Sequence, residues 1–459
     1  MSFISYKQFV RKFYFPLLCK IKREQTLEYL GKLEQSQYLS GEEIKKMQWS
    51  RLQRLITHAY ENTLYYKRLF NNAELKPDDI KTYEDFLNIP LLSKENVRNH
   101  QKEFLDRTHR GKFYKTITSG SEGLSLKLFY DRDFKSWVSA AQWRARRWFG
   151  VDIGDKEVAF WGRPLESSFE RLVGPYKARM RNIMLISPFD VSKKRLDAHR
   201  RKIRGFRPDY MYGYALSIYK LAEYIKQAGK EKKDSFGYKA IFTTSETLFK
   251  HQENLIEEAF GCKVAQEYGC AEAGIIAHEC PQGNMHITSE NLLVEFLKDG
   301  QPALPGEFAE VVVTSLNNFY MPLIRYKIGD MGARLDHQCR CRRGLPIMRL
   351  DTAKVTSTII TSKGKTFSSE LLDYINLELI KKGIKGIRQF RIIQIAPAAF
   401  EVEIVKQQPF LPESVDYFRK KMREFFGMDI KIDVKFVEKI SRDKSGKIHY
   451  FISRIATQQ

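Results

Sequence analysis

Between Thr116 and Tyr130 the sequence reads Thr-Ile-Thr-Ser-Gly-Ser-Glu-Gly-Leu-Ser-Leu-Lys-Leu-Phe-Tyr. The hydroxyl residues Thr116, Thr118, Ser119 and Ser121 interleave with Gly120 and Gly123, so the backbone can turn sharply and aim several N–H groups at one phosphate. Lys127 can add a positive charge. The alternation of Leu126, Leu128 and Tyr130 reads as a strand leaving the loop. Taken alone, the same stretch also describes a plain Gly/Ser turn between two strands. Four further segments follow in order: Thr244-Ser-Glu-Thr247, Glu267-Tyr-Gly-Cys-Ala-Glu272, Ile324-Arg-Tyr-Lys-Ile-Gly-Asp330 and Arg442-Asp-Lys-Ser-Gly-Lys447. A second chemistry is offered by Cys280 and His286, a C-x5-H pair, with Cys339 and Cys341 as C-x-C farther on. Three thiolates and one imidazole can close a tetrahedral zinc site. Reduced, unligated thiols beside Arg340 and Arg342 are the plain alternative, and His278 is a rival for the imidazole.

These residues need a scaffold. Residues 24 to 110 read as mostly helical, with apolar positions at helical spacing from Trp49 to Phe70 and a loop at Ile89-Pro90-Leu91. Phe134 to Phe149 reads as a helix with one aromatic face. Glu157 to Arg163 looks like a buried strand whose carboxyl edge carries Arg163, and ligands collect at such edges in open α/β sheets. Pro208 to Ile225 repeats strand, turn and helix, and Ala240 to Glu246 begins it again. This alternation predicts an α/β domain with substantially parallel strands. Beyond Thr352 the chain is dense in Lys and Ile, with strands expected at Arg391 to Ile395, Phe400 to Val405 and Ile430 to Phe436 and a helix at Ser414 to Phe426. The reading is a large domain over 1–352, with residues 1–110 a helical lead-in, and a small α+β domain over 353–459.

Composition narrows the class. With 459 residues and 43% hydrophobic content, two cores can be filled. The 78 Lys+Arg against 55 Asp+Glu leave a net charge of +23, which suits an anionic partner. Nucleic acid is set aside, because no zinc-finger spacing, RNP motif or helix-turn-helix accompanies the charge. No apolar run reaches the ~18 residues of a membrane span. Phe3 to Arg23 nevertheless mixes aromatic and basic residues, which suits either an interfacial helix on an anionic membrane surface or a helix docked on the protein's own core, in each case bent by Pro16. That segment lacks a small-residue cleavage site, and six cysteines are too few for a secreted disulfide scaffold of this size. A reducing cytoplasmic setting is expected, with the inner face of the membrane as a peripheral location.

The five segments, in this order, resemble the adenylate-forming superfamily: acyl-CoA synthetases, peptide-synthetase adenylation domains and luciferases. Within it the likeness is to phenylacetate–CoA ligases and CapK-type capsular polysaccharide biosynthesis proteins, carried also by Thr314 to Asp330, Tyr212-Gly-Tyr214 and Glu279 to His286. The resemblance implies a large adenylation domain followed by a small, mobile C-terminal lid. It also implies that a carboxylic acid is activated with ATP and Mg2+ and handed to CoA, an amino sugar or a carrier. Thr118, Ser119, Gly120, Ser121 and Gly123 would cradle the β- and γ-phosphates, and Glu272 would help hold Mg2+. Tyr268, flanked by Glu267 and Gly269, would face adenine, while Ser245, Glu246 and Thr247 would meet the base edge. Asp330 suits the ribose hydroxyls, and Lys447 would bring charge to the α-phosphate. Some relatives with such cysteines look like zinc carriers. The chain departs from the family pattern in three places. Glu122 stands where threonine is usual, Lys354 stands where an arginine is usual, and the hinge aspartate falls near Thr356 or Ser357. An AMP transfer to a deazaflavin-type cofactor and a non-catalytic membrane-associated binding protein are the competing functions.

Overall fold

The computed structural model describes residues 4–118, 126–161, 168–188, 192–229, 237–246, 248–350, 358–361, 366–368, 372, 375, 386–406, 408–440 and 451–455. Strands β1 (Phe113–Ile117) and β2 (Lys127–Asp131) form an antiparallel hairpin. Asp131 then caps the helix Arg132–Arg147, its carboxylate accepting from the Phe134 N–H at 2.8 Å. The helix lies close to the expected 134–149.

Among the described residues, twelve strands make the central sheet. They are β3 (Glu157–Phe160), β4 (Ile183–Ile186), β5 (Tyr210–Tyr214), β6 (Ala240–Thr244), β7 (Val264–Cys270), β8 (Gly274–Glu279), β9 (Met285–Ile287), β10 (Leu292–Lys298), β11 (Gln301–Pro302), β12 (Ala309–Ser315), β13 (Tyr326–Leu335) and β14 (Ile347–Leu350). Their order is β11-β10-β12-β13-β14-β9-β8-β7-β6-β5-β3-β4. From β4 to β7 the neighbours are parallel; from β7 to β11 every pairing is antiparallel.

Both faces of the parallel half are covered, so β3 and β6 are buried along their whole length. Helices Lys193–Phe206, Ala215–Gln227 and Lys250–Phe260 pack Leu196, Leu221 and Ile256 against Met211 and Ile241. On the other face Tyr210, Phe242 and Ala265 meet Val151, and Arg146 of the helix Arg132–Arg147 donates to the Tyr210 hydroxyl at 3.0 Å. Strands β3 and β5 approach so closely at Gly213 that a Cβ there would come within 2.5 Å of the Phe160 carbonyl oxygen. Only glycine fits that contact.

The antiparallel half rests on the helical lead-in. Ser40 and Glu43 form a capping box on the helix Gly41–Asn62, whose Leu52, Leu55 and Ile56 share one core with Val311, Val313 and Tyr326. The N-terminal helix runs as Tyr6–Phe9, a widened π turn at Val10–Tyr14, and Phe15–Lys22. Val10, Phe15 and Cys19 are its buried positions. The five-residue step from Val10 to Phe15 is too long for one α turn, and the π turn absorbs it. Phe15 meets Trp143 edge to face at 6.2 Å, Arg11 donates to the Ile153 carbonyl at 3.0 Å, and Lys7 pairs with the buried Asp155. This segment therefore docks one face on the body of the protein. Among the described residues, no helix is long and apolar enough to cross a membrane.

Beyond the large sheet, β15 (Thr358–Ile360) pairs with β16 (Thr366–Ser368). Strands β17 (Ile387–Ala396), β18 (Ala399–Lys406), β19 (Lys431–Phe436) and β20 (Phe451–Ser453) form a four-stranded sheet in the order β19-β18-β17-β20. The helix Pro412–Phe426 packs Phe418 and Met422 onto Phe390 and Phe400. This unit has its own core, in line with the small α+β region read from the sequence. The expected 352/353 boundary falls within residues 351–357, outside the described residues.

Candidate active site and cysteine cluster

A cavity of about 320 Å³ opens at the seam between the parallel and antiparallel halves. Ser245, Glu246, Glu267, Tyr268, Gly269 and Asp330 all border it, although they come from three separate stretches of sequence. Gln266, Glu279 and Arg349 border it too.

Each group is placed by a local cause. Strand β6 ends at Thr244, and Ser245 turns the chain with φ of +69°, a left-handed conformation that is costly for a residue with a Cβ. The turn brings the Glu246 carboxylate to the start of the helix Ala215–Gln227, where it accepts from the Leu216 N–H at 2.6 Å. One of the free N–H groups of that helix end is thereby satisfied. On β7 the side chains alternate, so Tyr268 and Glu267 point to opposite faces. The Tyr268 hydroxyl donates to Asp330 Oδ2 at 3.0 Å. Burial, then the Asp330 charge, push that phenol well above its ordinary pKa, so it stays a donor. Asp330 follows Gly329, whose φ is +82°.

Glu267 borders the cavity, but its carboxylate is engaged on the opposite side of the sheet. It accepts from the Tyr212 hydroxyl at 2.8 Å and from Gln142 Nε2 at 3.0 Å, and His278 Nε2 lies 3.2 Å away. Burial opposes its ionisation, yet the His278 contact and nearby Arg146 hold its pKa below the usual carboxylate value. Burial also lowers the pKa of His278. This network was not legible in the sequence, since Gln142 and Glu267 are 125 positions apart. Beside it, Trp161 stacks on Tyr214 and Tyr212 with ring centroids 5.1 and 5.8 Å apart, at the carboxyl ends of β3 and β5.

The remaining predicted residues lie apart or outside the described chain. Thr118 closes the neck of the β1–β2 hairpin: its N–H donates to the Leu126 carbonyl at 2.9 Å and its hydroxyl accepts from the Leu126 N–H at 2.8 Å. Ser119, Gly120, Ser121, Glu122 and Gly123, with Arg163, Thr247, Lys354 and Lys447, lie outside the described residues. Glu272 follows β7, is nearly buried, and accepts from the Tyr326 hydroxyl at 3.1 Å. One carboxylate of that kind fits Mg2+, which binds through one or two carboxylates, waters and substrate phosphates. Arg325, inside the fourth motif, is structural. Its guanidinium spans Glu295 and the carbonyls of Leu87 and Ile89, a buried charge fully paired.

The four candidate metal ligands converge. The Sγ atoms of Cys280, Cys339 and Cys341 and a ring nitrogen of His286 all lie within 4.8 Å of one another. Cys280 Sγ is 3.6 Å from Cys339 Sγ, and Cys341 Sγ is 3.2 Å from His286 Nε2. A tetrahedral zinc with Zn–S bonds of ~2.3 Å needs ligand atoms about 3.8 Å apart. His286 Nδ1 lies 2.9 Å from the Leu345 carbonyl, which can only accept, so Nδ1 carries the proton and Nε2 presents its lone pair. Burial drops the His286 pKa to about 4, keeping the ring neutral, and pushes the Cys280 thiol up to about 12. His278, the rival imidazole, is held at Glu267 instead. The donor set therefore fits zinc in type, number and spacing.

A family model described as the CapK C-terminal domain matches residues 359–454. Protein CapK of Staphylococcus aureus is 26% identical over 288 residues, a match spanning 62% of this chain and 62% of that protein. The phenylacetate-coenzyme A ligase of Escherichia coli (strain K12) is 25% identical over 68% of this chain and 72% of its own length, and that of Pseudomonas putida 21% over 93% and 98%. Among solved structures, a 2-hydroxyisobutyryl-CoA ligase in complex with 2-HIB-AMP and CoA superposes with a TM-score of 0.61 at 17% identity, over 91% of each chain. At that identity the likeness speaks for the fold.

Proposed function

We propose, from a chain homologous to CapK and the phenylacetate-coenzyme A ligases and folded as an adenylate-forming ligase, that it activates a carboxylic acid as an acyl-adenylate and passes the acyl group to coenzyme A. The observation that carries the reading is the pairing of Tyr268 with Asp330 across one cavity, beside the strained Ser245 turn. Asp330 offers acceptors to two ribose hydroxyls, and Tyr268 offers a flat face to adenine. A carboxylate oxygen of the acid attacks the α-phosphorus of ATP as the bond to the bridging oxygen breaks, and pyrophosphate leaves. The thiol of coenzyme A, losing its proton, then attacks the acyl carbon and AMP leaves. Positioning and charge stabilisation supply most of the acceleration in such phosphoryl chemistry. Glu272 is the residue for Mg2+, and Lys447 is the cation for the α-phosphate oxygens. The aromatic set Trp161, Tyr212 and Tyr214 is the wall for the acid. The likeness to CapK favours an acid or acceptor drawn from cell-envelope polysaccharide synthesis. Carboxylate-dependent pyrophosphate release, screened over aryl, short-chain, hydroxy and amino acids, tests the reading. Release with one acid class, abolished in Lys447→Ala, is expected; ATP binding without release for any acid would sink it.

The cysteine cluster is proposed as a structural zinc site, because the neutral His286 and three thiols close a four-ligand shell without an open position. One zinc per chain is expected by elemental analysis, falling to none in Cys339→Ser. An equal metal content in the two proteins would refute it.

A further inference from the structure

The N-terminal helix has a second face that the body of the protein leaves uncovered. Phe9, Phe13, Leu17 and Ile21 are between 44% and 70% exposed, and their spacing of four places them in a row along the helix. The row is continuous: Tyr6 and Phe9 rings lie 6.0 Å apart, Phe9 and Phe13 rings 6.2 Å. The π turn sets both faces, because it lets Val10 and Phe15 point inward while Phe9, Phe13 and Leu17 stay outward. A soluble surface scatters its apolar residues singly, whereas a row of large ones marks a contact.

Charge names the occupant. From Ile4 to Arg23 the chain carries six basic residues and no acidic one. Lys7 and Arg11 are spent on Asp155 and Asp152, but Lys12, Lys20, Lys22 and Arg23 are exposed beside the row. Aromatic and aliphatic side chains bordered by lysines match the boundary between acyl chains and anionic headgroups. A helix pinned by its inner face also pays little ordering entropy when its outer face is buried.

We infer that this outer face docks the protein on an anionic lipid bilayer, with Phe9, Phe13, Leu17 and Ile21 in the interfacial layer and the flanking lysines on the headgroups. The helix lies on the surface and does not cross it. The inference is independent of the reaction assigned above.

Flotation of the full chain with vesicles of 70:30 phosphatidylcholine and phosphatidylglycerol tests it, against pure phosphatidylcholine vesicles and with light scattering of the protein alone. The expected result is at least tenfold more flotation with the anionic vesicles than with the neutral ones. Phe13→Ser with Leu17→Ser, which leaves the net charge unchanged, should cut flotation at least tenfold without moving the melting temperature, since both side chains are more than half exposed. Undiminished flotation of that variant would mean that the overall positive charge alone binds lipid and would overturn the inference. So would wild-type protein that stays unbound, including one whose row instead pairs two copies, seen as a dimer that the variant dissolves.

Discussion

The parallel and antiparallel halves of the central sheet meet at β7 and treat their residues differently. In the parallel half, functional groups stand at strand ends: Ser245 and Glu246 after β6, Trp161 after β3, Tyr214 closing β5. In the antiparallel half, Asp330, Met348 and Arg349 reach the cavity from within strands β13 and β14. Parallel strands buried on both faces have only their ends to offer a ligand. Antiparallel strands can turn one edge or face to it. Strand β7 belongs to both halves, which is why its alternation sends Tyr268 to Asp330 and Glu267 to Tyr212.

The largest effect should come from cutting the pair that joins the halves. Asp330→Ala removes the proposed acceptors for the ribose and the partner of Tyr268. Two charged hydrogen bonds at about 1.5–3 kcal/mol each predict a loss of about a hundredfold or more in kcat/KM for pyrophosphate release. A loss under threefold would place the nucleotide elsewhere.

The cysteine cluster sharpens the comparison, because it clips only the antiparallel half. It joins the turn after β8 to the loop between β13 and β14. Cys339→Ser, or chelation of the proposed zinc, is expected to cost at least about 2 kcal/mol of stability. Amides of Cys280–Ile287 should exchange faster while those of Ile241–Thr244 keep their protection. Uniform loosening of both halves would mean that the cluster is not a local clip.

Tyr212→Phe probes the other half at a smaller scale. It strips one donor from the buried Glu267, leaving His278 and Gln142, at a cost of about 1–3 kcal/mol. Thermal melting measures it, and an unchanged melting temperature would show that water replaces the phenol.

How much of this was readable beforehand differs by region for physical reasons. Continuous apolar runs made β5 and β6 legible, and a composition shift marked the small sheet with Phe390 and Phe400 in its core. The convergence of Cys280, His286, Cys339 and Cys341 followed from ligand chemistry, which limits the partners a thiol can have. The Tyr268–Asp330 pair, 62 positions apart, was anticipated only as two motifs in a shared order. The Glu267 network was not anticipated at all, because its members come from a helix and three strands and no local pattern joins them. The π turn left one trace, the five-residue step from Val10 to Phe15, but periodicity alone does not separate a widened turn from an irregular one.

The smallest effect concerns how the N-terminal helix is held to the parallel half. Asp155 is buried between Lys7 and Lys239, with Lys239 Nζ at 2.7 Å. Burial favours its neutral form, but the two ammonium groups and the Asp152 N–H, which donates to Asp155 Oδ2 at 2.8 Å, outweigh that, and its pKa is lowered. A carboxylate whose folded pKa lies below its unfolded value contributes stability that is present above the unfolded pKa and lost as pH falls through the folded one. The chain should therefore lose stability on acidification below about pH 4, the ordinary aspartate value. In Asp155→Asn the part of that acid slope due to this site should vanish, and the amide, unable to pair with either lysine, should lower stability at pH 7. Melting curves of both proteins between pH 3 and pH 7 decide it. Parallel acid slopes would show that the helix is held by Phe15 and Trp143 packing, with the ion pairs contributing nothing.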